Sequence, residues 1–390
     1  MPKIRHLAPK LSKHLSLLPV TAILLTPYLY GNFSTFRHFL IFYIIGLARL
    51  RGNVKITDKR FVFSFVIIAT FGFLISMTNG PGLLNTKYYL LLISPLISAF
   101  IFYGSLKHLI PTLIRQLFVF SCLTQIIVVM QSKSGLFSLG LFQVLSYGED
   151  STIFLSSFSD IESSFCFMFA YFSIFFFQKK HFGNFTLALF MTLLNYKRIV
   201  LVGLSLALFT EVIVNRLNYQ SKWFGRLIWV APYVGVTVLL MASTGQFNSI
   251  VKDSTGRGMD QLTTGRYEIH QELNKRLFTL PDIIFGHGIG TTHTEVSTFE
   301  FTRMTLAHSD YLMLFYDLGA FGFAALFVLL MTRLIRFPIQ YSLTVFFLIV
   351  LALDNTIIYF DIMFLFYLLL LHIRKHSDTL RIDTIVSTKP

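Results

Sequence analysis

The chain has 390 residues, 54% of them hydrophobic and only 13% charged, with 44 Phe and 17 Tyr. A soluble domain is about 25% charged, so this composition excludes a soluble globular protein and describes one that crosses a membrane repeatedly. The net charge of +14 would suit nucleic acid. The cations, however, are spread over connections between apolar runs and form no basic domain, so orientation in a bilayer accounts for them and no nucleic-acid partner is expected.

A spanning helix needs about 20 mostly apolar residues, fewer when flanking side chains snorkel. On that rule the chain reads as one all-α polytopic membrane domain, 1–390. It has about twelve spans, near 15–30, 36–50, 61–78, 88–103, 109–130, 161–178, 181–196, 198–215, 224–243, 309–332, 338–353 and 355–373. The basic start MPKIRHLAPKLSKH runs into the first apolar stretch with no small-residue cleavage site, so an uncleaved first span is expected. With this threading Lys3 to Lys13, Arg49 to Arg60, Lys107, Lys179 and Lys180, Arg216 to Arg226, Arg333 and Arg336, and the tail from Arg374 fall on one side. Cationic loops stay inside, so both termini are expected in the cytoplasm. Cys122 and Cys166 lie in predicted spans, where cysteine acts as a small hydrophobe.

Two longer intervals then lie outside, 131–160 and a large loop over 244–307. Within the second, RYEIHQELNKRL (Arg266 to Leu277) predicts an amphipathic helix with Tyr267, Ile269, Leu273 and Leu277 on its apolar face. Pro281 is expected to break it. GHGIG (Gly286 to Gly290) reads as a flexible turn; it lacks the spacing of a nucleotide-binding loop. Asn195-Tyr196-Lys197-Arg198 leaves two cations on the disfavoured side, which suits either a phosphate or an interfacial anchor. His308 opens the tenth predicted span at the water boundary, and Asp317 inside that span requires a buried partner.

Arg198, Arg266 and His308 at one outer membrane surface have a coherent chemistry. Two guanidiniums can grip a pyrophosphate leaving group while an imidazole takes a proton from an attacking hydroxyl. That scheme needs neither nucleotide nor metal, and no cofactor is expected. His270, His287, His293 and His308 match none of the zinc spacings.

Four motifs in order resemble the O-antigen polymerase and O-antigen ligase superfamily. They are Lys197-Arg198 before an apolar span, TGRYEI around Arg266, a proline followed by FGHGIG (Pro281, Gly286, Gly288, Gly290), and HSDYLMLFYDLGAFG (His308 to Gly322). The resemblance covers roughly Lys197 to Leu334. It implies a GT-C-like fold whose large loop, between spans nine and ten, is periplasmic. It also implies an inner-membrane glycosyltransferase acting on undecaprenyl-pyrophosphate-linked oligosaccharide, with a chain-length regulator as a further partner. Arg198 and Arg266 would bind the lipid pyrophosphate and His308 would assist the acceptor hydroxyl. Lys197, Arg257, Arg303, Gly288, Tyr311 and Asp317 would lie around the substrate. Arg257, in TGRGMD, duplicates the Gly-Arg pair, and Arg266 is preferred because Tyr-Glu-Ile follows it. Ser309 and Asp317 stand where members often carry Asn and Glu. Polymerase is the first reading, since Lys-Arg resembles polymerases more than the Ser-Arg of ligases. A ligase transferring glycan onto lipid A core is the alternative. A flippase is disfavoured because Arg115, Glu211, Asp317 and Asp361 are scattered over different spans and define no polar path.

Overall fold

The computed structural model describes residues 17–25, 37, 39–52, 54–79, 82–131, 160–216, 222–256, 266–276, 279–299 and 308–387. Every regular element among them is a helix. In chain order they are α1 (17–25), α2 (Leu40–Leu50), α3 (Lys59–Thr78), α4 (Leu83–Leu106), α5 (Ile110–Gln131) and α6 (Asp160–Gln178). There follow α7 (Phe182–Asn195), α8 (Arg198–Arg216), α9 (Lys222–Ser243), α10 (Gln246–Thr255) and α11 (Arg266–Arg276). The last are α12 (Leu280–Phe285), α13 (Thr291–Val296), α14 (Asp310–Leu334), α15 (Tyr341–Leu353) and α16 (Phe360–Ser387). Helices satisfy every backbone polar group within one segment, which an apolar solvent demands.

Among the described residues four stretches are long and apolar enough to cross a membrane: Lys59–Thr78, Leu84–Met130, Trp223–Ser243 and Asp310–Leu334. Five further helices are apolar but shorter. Leu84–Met130 covers two predicted spans, 88–103 and 109–130, joined by the single 3-10 turn Lys107–Leu109. Apolar side chains stand exposed along helical stripes, with Phe63, Ile67, Phe71 and Leu74 on α3 and Val230, Val234, Val238 and Met241 on α9. In water such stripes would demand a partner; facing lipid they need none. This is a helical membrane protein.

The chain forms two compact units, residues 1–59, 94–212 and 359–390, and residues 60–93 and 213–358. The core of the first is aromatic, with Phe165, Phe167, Phe169, Tyr171 and Phe172 of α6 fully buried. Tyr171 meets Phe366 at 5.8 Å and Phe118 meets Phe172 at 5.3 Å. A buried ion pair, Arg37 to Asp361 at 3.0 Å, joins the segment before α2 to α16. An intramembrane acid is tolerated when paired in this way. In the second unit α14 packs against α9 and α15. Gly235 of α9 lets the Tyr311 ring approach so closely that a methyl group there would collide with it.

Candidate functional site

The second unit brings three polar segments together at the start of α14. Ser309 is its N-cap, its hydroxyl accepting from the Leu312 amide at 3.3 Å. His308 just before it sits in the left-handed region, φ 52°, a conformation costly for a residue with a Cβ. Asp310 is the first residue of α14, where a carboxylate suits the positive end of the helix. One of its oxygens accepts from the amides of Thr356, at 2.5 Å, and Ile357, at 2.9 Å. Its own amide donates to the Asp354 carbonyl at 3.0 Å. The segment leaving α15 is thereby tied to the segment entering α14.

Arg266 and His308 both address that tie. Arg266, first residue of α11, donates from Nη1 to the carbonyl of Leu353 at 3.2 Å. Leu353 ends α15, where carbonyls lack helical partners and cations are favoured. His308 Nδ1 lies 4.0 Å from the Asp354 carboxylate, which also accepts from the Asn355 amide at 2.8 Å. Arg266 Nε, His308 Nδ1, the other Asp310 oxygen, both amide atoms of the Asn355 side chain and the Thr356 hydroxyl are buried. None of them has a hydrogen-bond partner among the described residues. Buried polar atoms are almost always paired with protein, water or a bound group, so this cluster on neighbouring residues is a candidate site.

A second polar region lies further along α14 and behaves differently. Gly319 takes φ 65° and ψ 178°, breaking the helix, and the GHGIG turn fills the break. His287 and Gly288 amides donate to the carbonyls of Tyr316, at 3.1 Å, and Asp317, at 2.8 Å. The Asp317 carboxylate accepts from the amides of Gly290 and Thr292, at 2.8 and 2.9 Å, and from the Thr292 hydroxyl at 2.6 Å. Ile289 donates to Gly72 of α3, and the Asn79 side chain donates to the His287 carbonyl. A methyl group on Gly286 would strike the backbone of Asp317 and Gly319, and one on Gly288 that of Ser76. The turn expected to be flexible is pinned on two helices, and its glycines are required by close backbone approach and positive φ.

From this turn α13 leads to the packing that holds α11. Ile269, Leu273, Val296, Phe299 and Tyr316 form one buried cluster. Arg276 pairs with Glu295 and lies 4.7 Å over the Phe299 ring. The expected apolar face of α11 is found in Tyr267, Ile269 and Leu273, all buried; Leu277 lies outside the described residues. Pro281, expected only to break a helix, also begins one: Thr279 caps α12 and Pro281 occupies its first turn, where its missing N–H costs nothing.

Of the residues expected around substrate, the structure brings Arg266 and His308 together and does not bring Gly288, Tyr311 or Asp317 to them. Gly288 and Asp317 belong to the pinned turn. Tyr311 is a core residue, its ring 6.1 Å from Phe323 and 5.3 Å from Phe327. Arg257 and Arg303 lie outside the described residues. Lys197 and Arg198 belong to the other unit. There Tyr196, with φ 33°, turns the chain from α7 into α8, Lys197 lies 4.6 Å over the Phe167 ring, and exposed Arg198 opens α8.

His293 stacks on Tyr88 at 3.7 Å and His287 on Tyr316 at 4.7 Å. Among the described residues no three His, Cys, Asp or Glu side chains group at metal-holding spacing. Burial holds the His287 pKa below its ordinary 6.5, partly offset by the nearby Asp282 carboxylate. The residues missed as site candidates are Asp354, Asn355 and Thr356. Their signal is three consecutive polar residues inside the apolar run LIVLALDNTIIYF. Compared with protein-family models, curated proteins and solved structures, the chain finds no match.

Proposed function

We propose that this membrane protein is a glycosyltransferase of the O-antigen polymerase kind. In this reading it moves an undecaprenyl-pyrophosphate-linked glycan onto a new lipid-linked repeat unit at the periplasmic face of the inner membrane. The helical intervals serve as about twelve spans of a GT-C-like fold, with 244–307 outside. One observation carries the proposal: Arg266 and His308, far apart in sequence, both reach the turn after α15.

The chemistry follows from the side chains. Arg266 offers a fixed cation to the lipid pyrophosphate; the resemblance implies Arg198 as a second guanidinium. His308 directs Nδ1 toward Asp354, leaving Nε2 to take the proton of the acceptor hydroxyl. That hydroxyl oxygen bonds to the anomeric carbon as the carbon–oxygen bond to pyrophosphate breaks. Undecaprenyl pyrophosphate leaves with the electron pair, and His308 later releases its proton to water.

The test is purified protein with a lipid-linked repeat unit, in chelator and without nucleotide. A ladder of extended products is the expected result; no transfer from an intact donor overturns the proposal. In cells, loss of the protein should leave lipopolysaccharide capped with one repeat unit. Bare core would instead assign the ligase reaction, whose donor and site are the same.

A further inference from the structure

We infer that Asp317 is a positioning residue: as an acceptor for the docked turn, its carboxylate holds α11 and the start of α14 in the register that keeps Arg266 and His308 on one turn. This rests on the functional reading above for its catalytic consequence, and on geometry alone for its mechanical one.

The break at Gly319 divides α14 just after Tyr316 and Asp317, whose carbonyls accept from another segment. Segment 287–292 supplies the donors, two to those carbonyls and three to the Asp317 side chain. The carboxylate is buried, so these bonds form where solvent cannot compete. Thr292 lies in α13, and α13 is joined to α11 by the apolar cluster and the Arg276–Glu295 pair. Arg266 begins α11 and His308 precedes α14. A continuous packed path therefore runs from Asp317 in one direction to the guanidinium and in the other, along one helical segment, to the imidazole. An intramembrane acid with no substrate contact would be a costly ornament; as a three-bond anchor it has a task.

Thr292 allows a gentle test. Thr292→Val keeps shape and removes one donor to Asp317, Thr292→Ser restores it, and Asp317→Asn weakens all three bonds. Two readouts are taken on each purified protein: kcat and KM for transfer from the lipid-linked donor, and the rate of tryptic cleavage after exposed Lys275. Losing one bond to a buried charge shifts such a latch by about tenfold. The expected result is kcat down by about that factor with donor KM little changed, cleavage accelerated in parallel, and both recovered in Thr292→Ser. Should Asp317→Asn fail to accumulate, the two Thr292 variants carry the test.

Accelerated cleavage with kcat unchanged overturns the positioning role. A fall in kcat without a change in cleavage, or failure of Thr292→Ser to recover either, overturns it as well. If wild-type protein transfers nothing, the functional reading fails, while unchanged cleavage in Thr292→Val would separately refute the latch.

Discussion

Two polar regions border the same helix, and they are opposites. Around Asp317 both carboxylate oxygens are occupied by protein donors and the surrounding glycines leave no room for a methyl group. Around His308 and the turn 353–357, six buried polar atoms face no protein partner among the described residues. A saturated buried carboxylate holds structure together, because loss of a donor leaves a charge desolvated and unpaired. A polar cluster without protein partners adds little to stability and leaves its donors and acceptors to water or a ligand. Both contain an acid and a histidine near a helix break or start, so residue type alone would not tell them apart.

Substitutions can sharpen or break that contrast. The largest effect on chemistry is expected from His308→Ala and Arg266→Ala, which should insert in normal amounts yet lose transfer by at least about 100-fold. Near wild-type turnover in both would dissolve the distinction. The largest effect on folding belongs to the other region. Gly288→Ala places a methyl group against the Ser76 backbone at φ 97°, which should cost about 3 kcal/mol and lower the unfolding midpoint in detergent.

Thr356→Val sits between these. Its hydroxyl has no protein partner among the described residues, so replacing it should leave stability unchanged or raise it by up to about 1 kcal/mol, while transfer falls. A loss of stability comparable to that of Thr292→Val would show that the two regions are alike after all.

The smallest effect is a pH dependence. His287 has its pKa lowered by burial, so the folded state favours the neutral ring. Its contribution is whole above the ordinary value of 6.5 and is lost as pH falls through the folded-state value below it. The unfolding midpoint should therefore drop on acidification below 6.5, and His287→Gln should flatten that slope. An equal slope in the variant would assign it to other groups.

Much of the architecture is legible in the sequence. Continuous apolar runs of about 20 residues fit helices in a bilayer, because a helix satisfies its backbone within one segment. The face carried by Tyr267, Ile269 and Leu273 follows from periodicity alone. Arg266 and His308 stood out because cations and imidazoles beside a greasy span are conspicuous. Asp317 is equally conspicuous, and the resemblance alone implies a place near substrate for it. Its true neighbours come from a turn that closes onto a helix break, and nothing local marks Gly319, since glycine is common in membrane helices.

Composition and local periodicity determined that this is a helical membrane protein with one polar loop rich in Arg and His, because partition into lipid and helical repeat act on neighbouring residues. Folding in three dimensions decided which acid is saturated and which turn Arg266 and His308 reach. Those outcomes depend on loop closure and backbone contact between segments that share no pattern in the chain, as between Arg266 and Leu353 or Gly290 and Asp317.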